Sequence, residues 1–188
     1  NLGTVLVRQN DLPLAVKHFQ DAVKLDPRNV PARLNLGAIF TDFLNYKAAS
    51  DEFRKVLEIE PDNVEAVIGD ATATLGLGNF DAAIAGWERA LKMDSRRTIL
   101  LKRVGELYEK RSTKEDVLKA LGYYRRFVKA ANVPATDFTS KKIKALQDAI
   151  DMGMFDKPAE QPKSPDEEDG DTTFDDASPT EDEPAPDE

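Results

Sequence analysis

The sequence predicts an all-α chain: antiparallel helix pairs stacked in an array, closed by a capping helix and followed by a disordered acidic tail. Three observations predict it. NLGTVLVRQNDLPLAVKHF at Asn1 returns as NLGAIFTDFLNYKAASDEF at Asn35, a period of 34 residues. No stretch carries a strand signal. Small residues and aromatics recur at fixed places in the frame. A period of this length without strands means one helix pair per unit. A single pair cannot bury both its faces, so the units stack and each covers its neighbour.

The first unit holds Leu2-Gly3, Leu6, Ala15, Phe19, Ala22 and Pro27. The second holds Leu36-Gly37, Phe40, Ala49, Phe53, Val56 and Pro61 in the same places. Gly3, Gly37, Ala15 and Ala49 fall where two helices cross closely, and Phe19, Phe53 and Trp87 fill the space beside them. The turns RQND, FLNY and LGNF put Asp11, Asn45 and Asn79 at a turn and first cap, ahead of Leu12, Tyr46 and Phe80. KLDPRN, EIEPDN and KMDSRR close successive units, and Pro27 and Pro61 stop the helix before them. The third unit keeps Ala83, Trp87 and Ala90, but has Asp70-Ala71 for leucine-glycine and Ser95 for the proline.

A fourth, degenerate unit carries Val104-Gly105, Tyr108, Ala120 and Tyr124, with about three extra residues between its helices. Ser112-Thr113-Lys114-Glu115 has capping-box spacing and starts the last repeat helix, which runs to about Ala131. Pro134-Ala135-Thr136-Asp137 opens the capping helix SKKIKALQDAIDMG. Ile143, Leu146, Ala149 and Ile150 form its apolar stripe, and Lys141, Lys142, Lys144, Gln147 and Asp148 face water. Gly153 is its stop, with Met152, Met154 and Phe155 tucked under the end. The resulting division is about four helix pairs over residues 1–131, the first truncated at its N-terminus, a capping helix in 132–155, and a tail over 156–188.

The pattern resembles the tetratricopeptide repeat over roughly residues 1–131. The resemblance implies a right-handed superhelical solenoid that binds other proteins, with the first helix of each pair lining a concave face. Matching the frame places Thr4, Val7, Arg8, Leu34, Ala38, Thr41, Asp42, Ile68, Thr72 and Leu75 on that face, then Ile99, Lys102, Glu106 and Glu109. The family's chaperone-tail binders clamp a terminal carboxylate there with lysine, asparagine and arginine. Here Asn35 is suitably placed, but Leu34, Ala38, Glu65 and Gly69 stand where clamp groups are needed, which argues against a clamp. An apolar groove with polar rims suits a peptide or partner-protein segment.

Charge divides the chain. Residues 156–188 hold 14 acidic residues against Lys157 and Lys163, and six of the eleven prolines. Such a segment cannot bury enough apolar surface to fold alone. Residues 96–144 hold 14 Lys/Arg against five Asp/Glu. The basic side chains Arg96, Arg97, Lys102, Arg103, Lys110, Arg111, Arg125 and Arg126 suit an acidic partner, or the chain's own tail in an intramolecular contact. Nucleic acid fits less well, because the tail repels phosphate and competes for the same surface.

Catalysis has little to stand on. There is no cysteine and one histidine, His18, read as exposed on an outer face. No catalytic residue set, cofactor site or metal site emerges. LGLGN at 75–79 is a helix turn rather than a phosphate loop. No apolar run approaches the ~20 residues of a membrane span. The expectation is a scaffold or adaptor within a multi-protein assembly. Opening on Asn1 inside a helical pattern, the chain reads as the C-terminal part of a longer protein. Alanine-rich repeats with a Pro-acid tail resemble bacterial envelope lipoproteins serving secretion, pilus or motility machines. The alternatives are a cytoplasmic module autoinhibited by its tail and an accessory domain of a larger enzyme.

Overall fold

A computed structural model describes residues 2–156. The helices are α1 (Leu2–Arg8), α2 (Leu12–Leu25), α3 (Val30–Asp42), α4 (Tyr46–Ile59), α5 (Val64–Gly76), α6 (Phe80–Met93), α7 (Ile99–Glu109), α8 (Lys114–Ala130) and α9 (Phe138–Asp151), with no strand among the described residues. They pair as α1/α2, α3/α4, α5/α6 and α7/α8, each pair packs on the next, and α9 lies on α8. The tail lies outside the described residues, apart from Asp156.

Helix starts follow side chains that satisfy free backbone N–H groups. Asp11, Asn45 and Asn79 accept from the amides of Leu14, Ala48 and Ala82, as their turns predict. Asn29 and Asn63 do the same for Ala32 and Ala66 and open α3 and α5. Each such cap stabilises its helix by about 1 kcal/mol. The third closing phrase has Arg97 where the first two have asparagine, Thr98 makes no side-chain cap bond, and α7 is shorter than α3 or α5. The capping box sits one residue later than predicted. Thr113 is the cap, accepting from the Asp116 amide at 3.1 Å and donating its hydroxyl to the Asp116 carboxylate at 2.8 Å.

Ser112 cannot cap because it belongs to a different periodic position. Asn10, Leu44, Gly78 and Ser112, spaced 34 apart, all have φ between 57° and 82°. Each turn between paired helices therefore needs one left-handed residue, a conformation open to glycine, tolerated by asparagine and strained for leucine.

The core grows from rings pressed against bare backbone. A Cβ added to Gly3 would stand 2.6 Å from Phe19, one on Gly37 2.7 Å from Phe53, and one on Gly105 2.8 Å from Tyr124. Gly69 of α5 also lies against the Phe53 ring. Ala15, Ala49, Ala83 and Ala120 are fully buried at the crossings. In the third unit, Ala71 carries the Cβ that the other units lack, and Gly86 on α6 is bare opposite it. The fourth unit's extra residues do not lengthen the loop. They extend the start of α8 by a turn, so that Ala120 and Tyr124 come later in a 17-residue helix than Ala83 and Trp87 do in the 14-residue α6.

The capping helix begins at Phe138, with Asp137 as its cap. Its predicted stripe is only half-buried, and Thr139 is its one buried residue. Lys142 does not face water. It donates to Glu109 at 3.0 Å and lies over the rings of Tyr124 and Phe138. Gln147 is also engaged, with Arg125 and Asp151. Gly153, at φ 70°, ends the helix: its amide bonds to Ile150 O and that of Met154 to Ala149 O. Met152 and Met154 are exposed rather than tucked under, because this turn points them outward, and only Phe155 is half-buried. His18 is half-buried, not exposed.

Gly37→Leu is expected to lower stability by about 1–3 kcal/mol by driving the side chain into Phe53, whereas Gly122→Ala, in open space on α8, gains up to about 1 kcal/mol. Thermal melts that rank the two variants alike would refute the repeat frame. Leu44→Asn relieves the left-handed strain of an exposed side chain and should gain up to about 1 kcal/mol in urea unfolding.

Candidate functional site

The first helices of the pairs, α3, α5 and α7, contribute most of the lining of two depressions. Leu34 and Ala38 of α3 meet Ile68 and Gly69 of α5 around a depression of about 320 Å³, with Phe53 at its floor. Its rim is polar. Asn35 lines it, with its amide already donating to Pro31 O at 2.7 Å, and Glu65 forms an ion pair with Arg97. Gly69 lets α5 close on the buried Phe53 ring, since any side chain there would collide with it. Leu34, Asn35 and Ile68 are half-buried and Ala38 is exposed.

A second depression, of about 600 Å³, is lined from α5, α6, α7 and α9. Leu75, Trp87 and Leu107 form its apolar side, and Arg103, Lys110, Lys142, Glu106 and Glu109 its charged side. The Arg103 guanidinium stands over the Trp87 ring, 5.8 Å from its centre. Glu109 accepts from the Tyr124 hydroxyl at 2.5 Å as well as from Lys142. Burial, and then this hydrogen bond, push the Tyr124 hydroxyl well above the ordinary tyrosine range, so it remains a neutral donor.

Of the residues the sequence places on the concave face, Leu34, Ala38 and Ile68 meet in the first depression, and Leu75, Glu106 and Glu109 in the second. Thr4, Val7, Arg8, Asp42 and Ile99 line neither. Thr41 and Thr72 donate their hydroxyls to Gly37 O and Ile68 O on their own helices. Lys102 stands near Asp137, whose carboxyl is held low chiefly by the Thr139 amide, with Lys102 adding a smaller pull. Phe53, Trp87 and Lys142 are groove residues the sequence reading missed. Gly69 was a usable signal, because a glycine inside a helix marks a close approach.

The basic stretch is less free than its composition suggests. Arg96 pairs with Asp94, Arg97 with Asp94 and Glu65, and Arg111 with Asp81. Lys114 reaches Asp156 at 2.5 Å. Arg125 bonds Gln147 and Arg126 covers the Tyr123 ring. Arg103 and Lys110 have no acidic partner within 4.0 Å among the described residues. No helix among the described residues is long and apolar enough to cross a membrane.

The family model for the tetratricopeptide repeat matches residues 1–64 and 70–135. The chain belongs to the tetratricopeptide repeat family. A Heat shock protein sti1 homolog of Schizosaccharomyces pombe is 30% identical over 99 residues, which are 53% of this chain and 17% of that protein. An Hsp70-Hsp90 organizing protein of Triticum aestivum is 32% identical over 80 residues, 43% of this chain and 14% of that protein. The chain thus spans less than a fifth of these relatives' lengths. A crystal structure of MamA superposes with a TM-score of 0.70 at 20% identity, over 83% of this chain and 87% of that one, which shows the shared fold. Within this tetratricopeptide array, Leu34, Ala38, Glu65 and Gly69, the residues that argued against a carboxylate clamp, all line the first depression.

Asp94 organises the turn in which Ser95 replaces the proline. The Arg96 side chain, and then the Arg96 amide, hold its carboxyl at about 2, below its ordinary 3.8. A depressed carboxyl adds stability that is fully present above 3.8 and is lost as pH falls through about 2. Asp94→Asn should therefore melt lower than the unsubstituted chain at neutral pH. The gap should close as pH falls from 3.8 toward 2. Circular-dichroism melts across that range check it, and a gap independent of pH would assign the effect to packing.

Proposed function

We propose that the chain is a protein–protein interaction adaptor that holds a peptide or partner-protein segment in its concave groove. The observation that carries this reading is the apolar depression around Leu34, Ala38, Phe53 and Ile68, between α3 and α5 of a tetratricopeptide array. Apolar surface in a concavity, rimmed by polar groups, favours a partner that contributes an apolar side chain and satisfies the rim. A concave apolar surface of this kind supports a binding role.

The finer reading places this adaptor in a multi-protein assembly of a bacterial cell envelope, as a periplasmic or outer-membrane lipoprotein. Its support is the sequence style, compact alanine-rich repeats followed by a Pro-acid tail. Fractionation of the source cells tests it. A cytoplasmic location would favour the second reading, a regulatory module whose tail competes for its own basic region. The charge division between residues 156–188 and 96–144 supports that alternative. Such competition weakens with salt, because the screening length is ~8 Å near physiological ionic strength.

Leu34→Asp with Ile68→Asp should abolish partner capture while leaving the helical circular-dichroism signal largely intact, since both side chains are half-buried at the groove. Ala38→Glu, at an exposed position, should do the same with no change in melting temperature. Partners captured equally by Ala38→Glu and the unsubstituted chain would place the binding surface elsewhere.

A further inference from the structure

We propose that the outward face of α9 is a homodimer contact: a second copy of this chain lays its own α9 antiparallel against the first, with Ala145 at the two-fold axis.

A helix that closes an open array should turn a polar face to water. This one does not. Phe138 is 69% exposed, and Met152, which caps the helix end, is 70% exposed. Ala145 between them is exposed as well. The three are spaced seven residues apart, so they form one line along the helix, drifting only ~20° per step. The small residue at the middle of that line lets a second helix come close.

Charge names the occupant. Lys141 and Lys144 precede Ala145, Asp148 and Asp151 follow it, and all four are exposed. Lys141, Lys144 and Asp148 make no ion pair within 4.0 Å among the described residues. Asp151 accepts from Gln147, a neutral donor. A helix face that is basic in its first half and acidic in its second complements a reversed copy of itself.

The register follows from the symmetry. A two-fold axis perpendicular to both helices keeps each flank on its own side, so like flanks meet. Lys141 and Asp148 share one flank, about 40° and 60° from the Ala145 line. Lys141 lies four residues before Ala145 and Asp148 three after, so across the axis their heights differ by one residue, ~1.5 Å. Phe138 and Met152 are equidistant from Ala145, so each ring meets the methionine of the other copy. The opposite flank is already taken, because Lys142 is held by Glu109 and lies over the Phe138 ring.

One helix against one helix covers less than the ~1,200 Å² at the low end of stable interfaces, so the dimer is weak and forms at high local concentration. Of the α9 residues, only Lys142 lines a depression. The pairing therefore stands apart from the groove reading. Where the groove binds, two joined copies present two grooves to one assembly.

The test is sedimentation velocity on the full chain from about 10 µM to 1 mM, the range of a small interface. A concentration-dependent dimer is expected. Lys141→Asp/Lys144→Asp sets acid against acid, and Asp148→Lys sets base against base. Each variant alone should self-associate about tenfold or more weakly. Mixed in equal amounts, the two should restore the dimer, because each then meets its opposite, and that restoration also shows both to be folded. The chain has no cysteine, so Ala145→Cys carries a single thiol that should cross-link one copy to another under mild oxidation. Lys17→Cys, exposed on α2, should not. A chain that stays monomeric throughout would overturn the dimer and leave this face to a different protein. Dimers that survive in each charge variant alone, or a mixture that restores nothing, would overturn the antiparallel α9 contact equally.

Discussion

The close approach of aromatic rings to glycine backbone is the constraint from which the rest of this array follows. Phe19 against Gly3, Phe53 against Gly37 and Gly69, and Tyr124 against Gly105 leave no room for a Cβ. Interiors are packed as densely as organic crystals, so a missing methyl group must be matched by a ring that fills its place. These contacts set how near paired helices lie, and hence the pitch at which the inner faces of α3, α5 and α7 present themselves. The third unit reaches a similar closeness by another route, with Ala71 received by Gly86. What the family frame holds constant is the spacing of the helices; the residue that supplies it varies.

The features that were legible in sequence are the local ones. Asp11, Asn45 and Asn79 cap because their turn and their helix are adjacent in the chain, and a proline acts on the residue before it. Asn29 and Asn63 lie in the closing phrases and cap just as firmly, but the prolines two residues earlier mark the end of one helix more plainly than the start of the next. Ser112 satisfied a capping pattern and failed because the periodic left-handed position claimed it first. The extra residues of the fourth unit were visible as a count, and only packing decided that they lengthen α8 at its start.

The groove was partly legible. Leu34, Ala38 and Ile68 follow from the repeat frame alone. Phe53 and Trp87 do not, because both are buried core rings that border the depressions from beneath, and a repeat frame marks them only as core. Charge was the least legible property. Residues 96–144 look like one basic surface in composition. In three dimensions Arg96, Arg97 and Arg111 are spent on carboxylates from earlier turns, and Lys142 folds back onto Glu109. Sequence counts charges and cannot see which neighbour each one finds.

Phe53 has a consequence that belongs to motion more than to recognition. The same ring fills the interior of the second unit and forms the floor of the first depression. A segment held by Leu34, Ala38 and Ile68 would lie just above this buried ring and the packing that joins α3, α4 and α5. Occupancy of the groove would then slow the breathing of the two middle units, and amide hydrogens on the far side of α4 would exchange more slowly although nothing touches them.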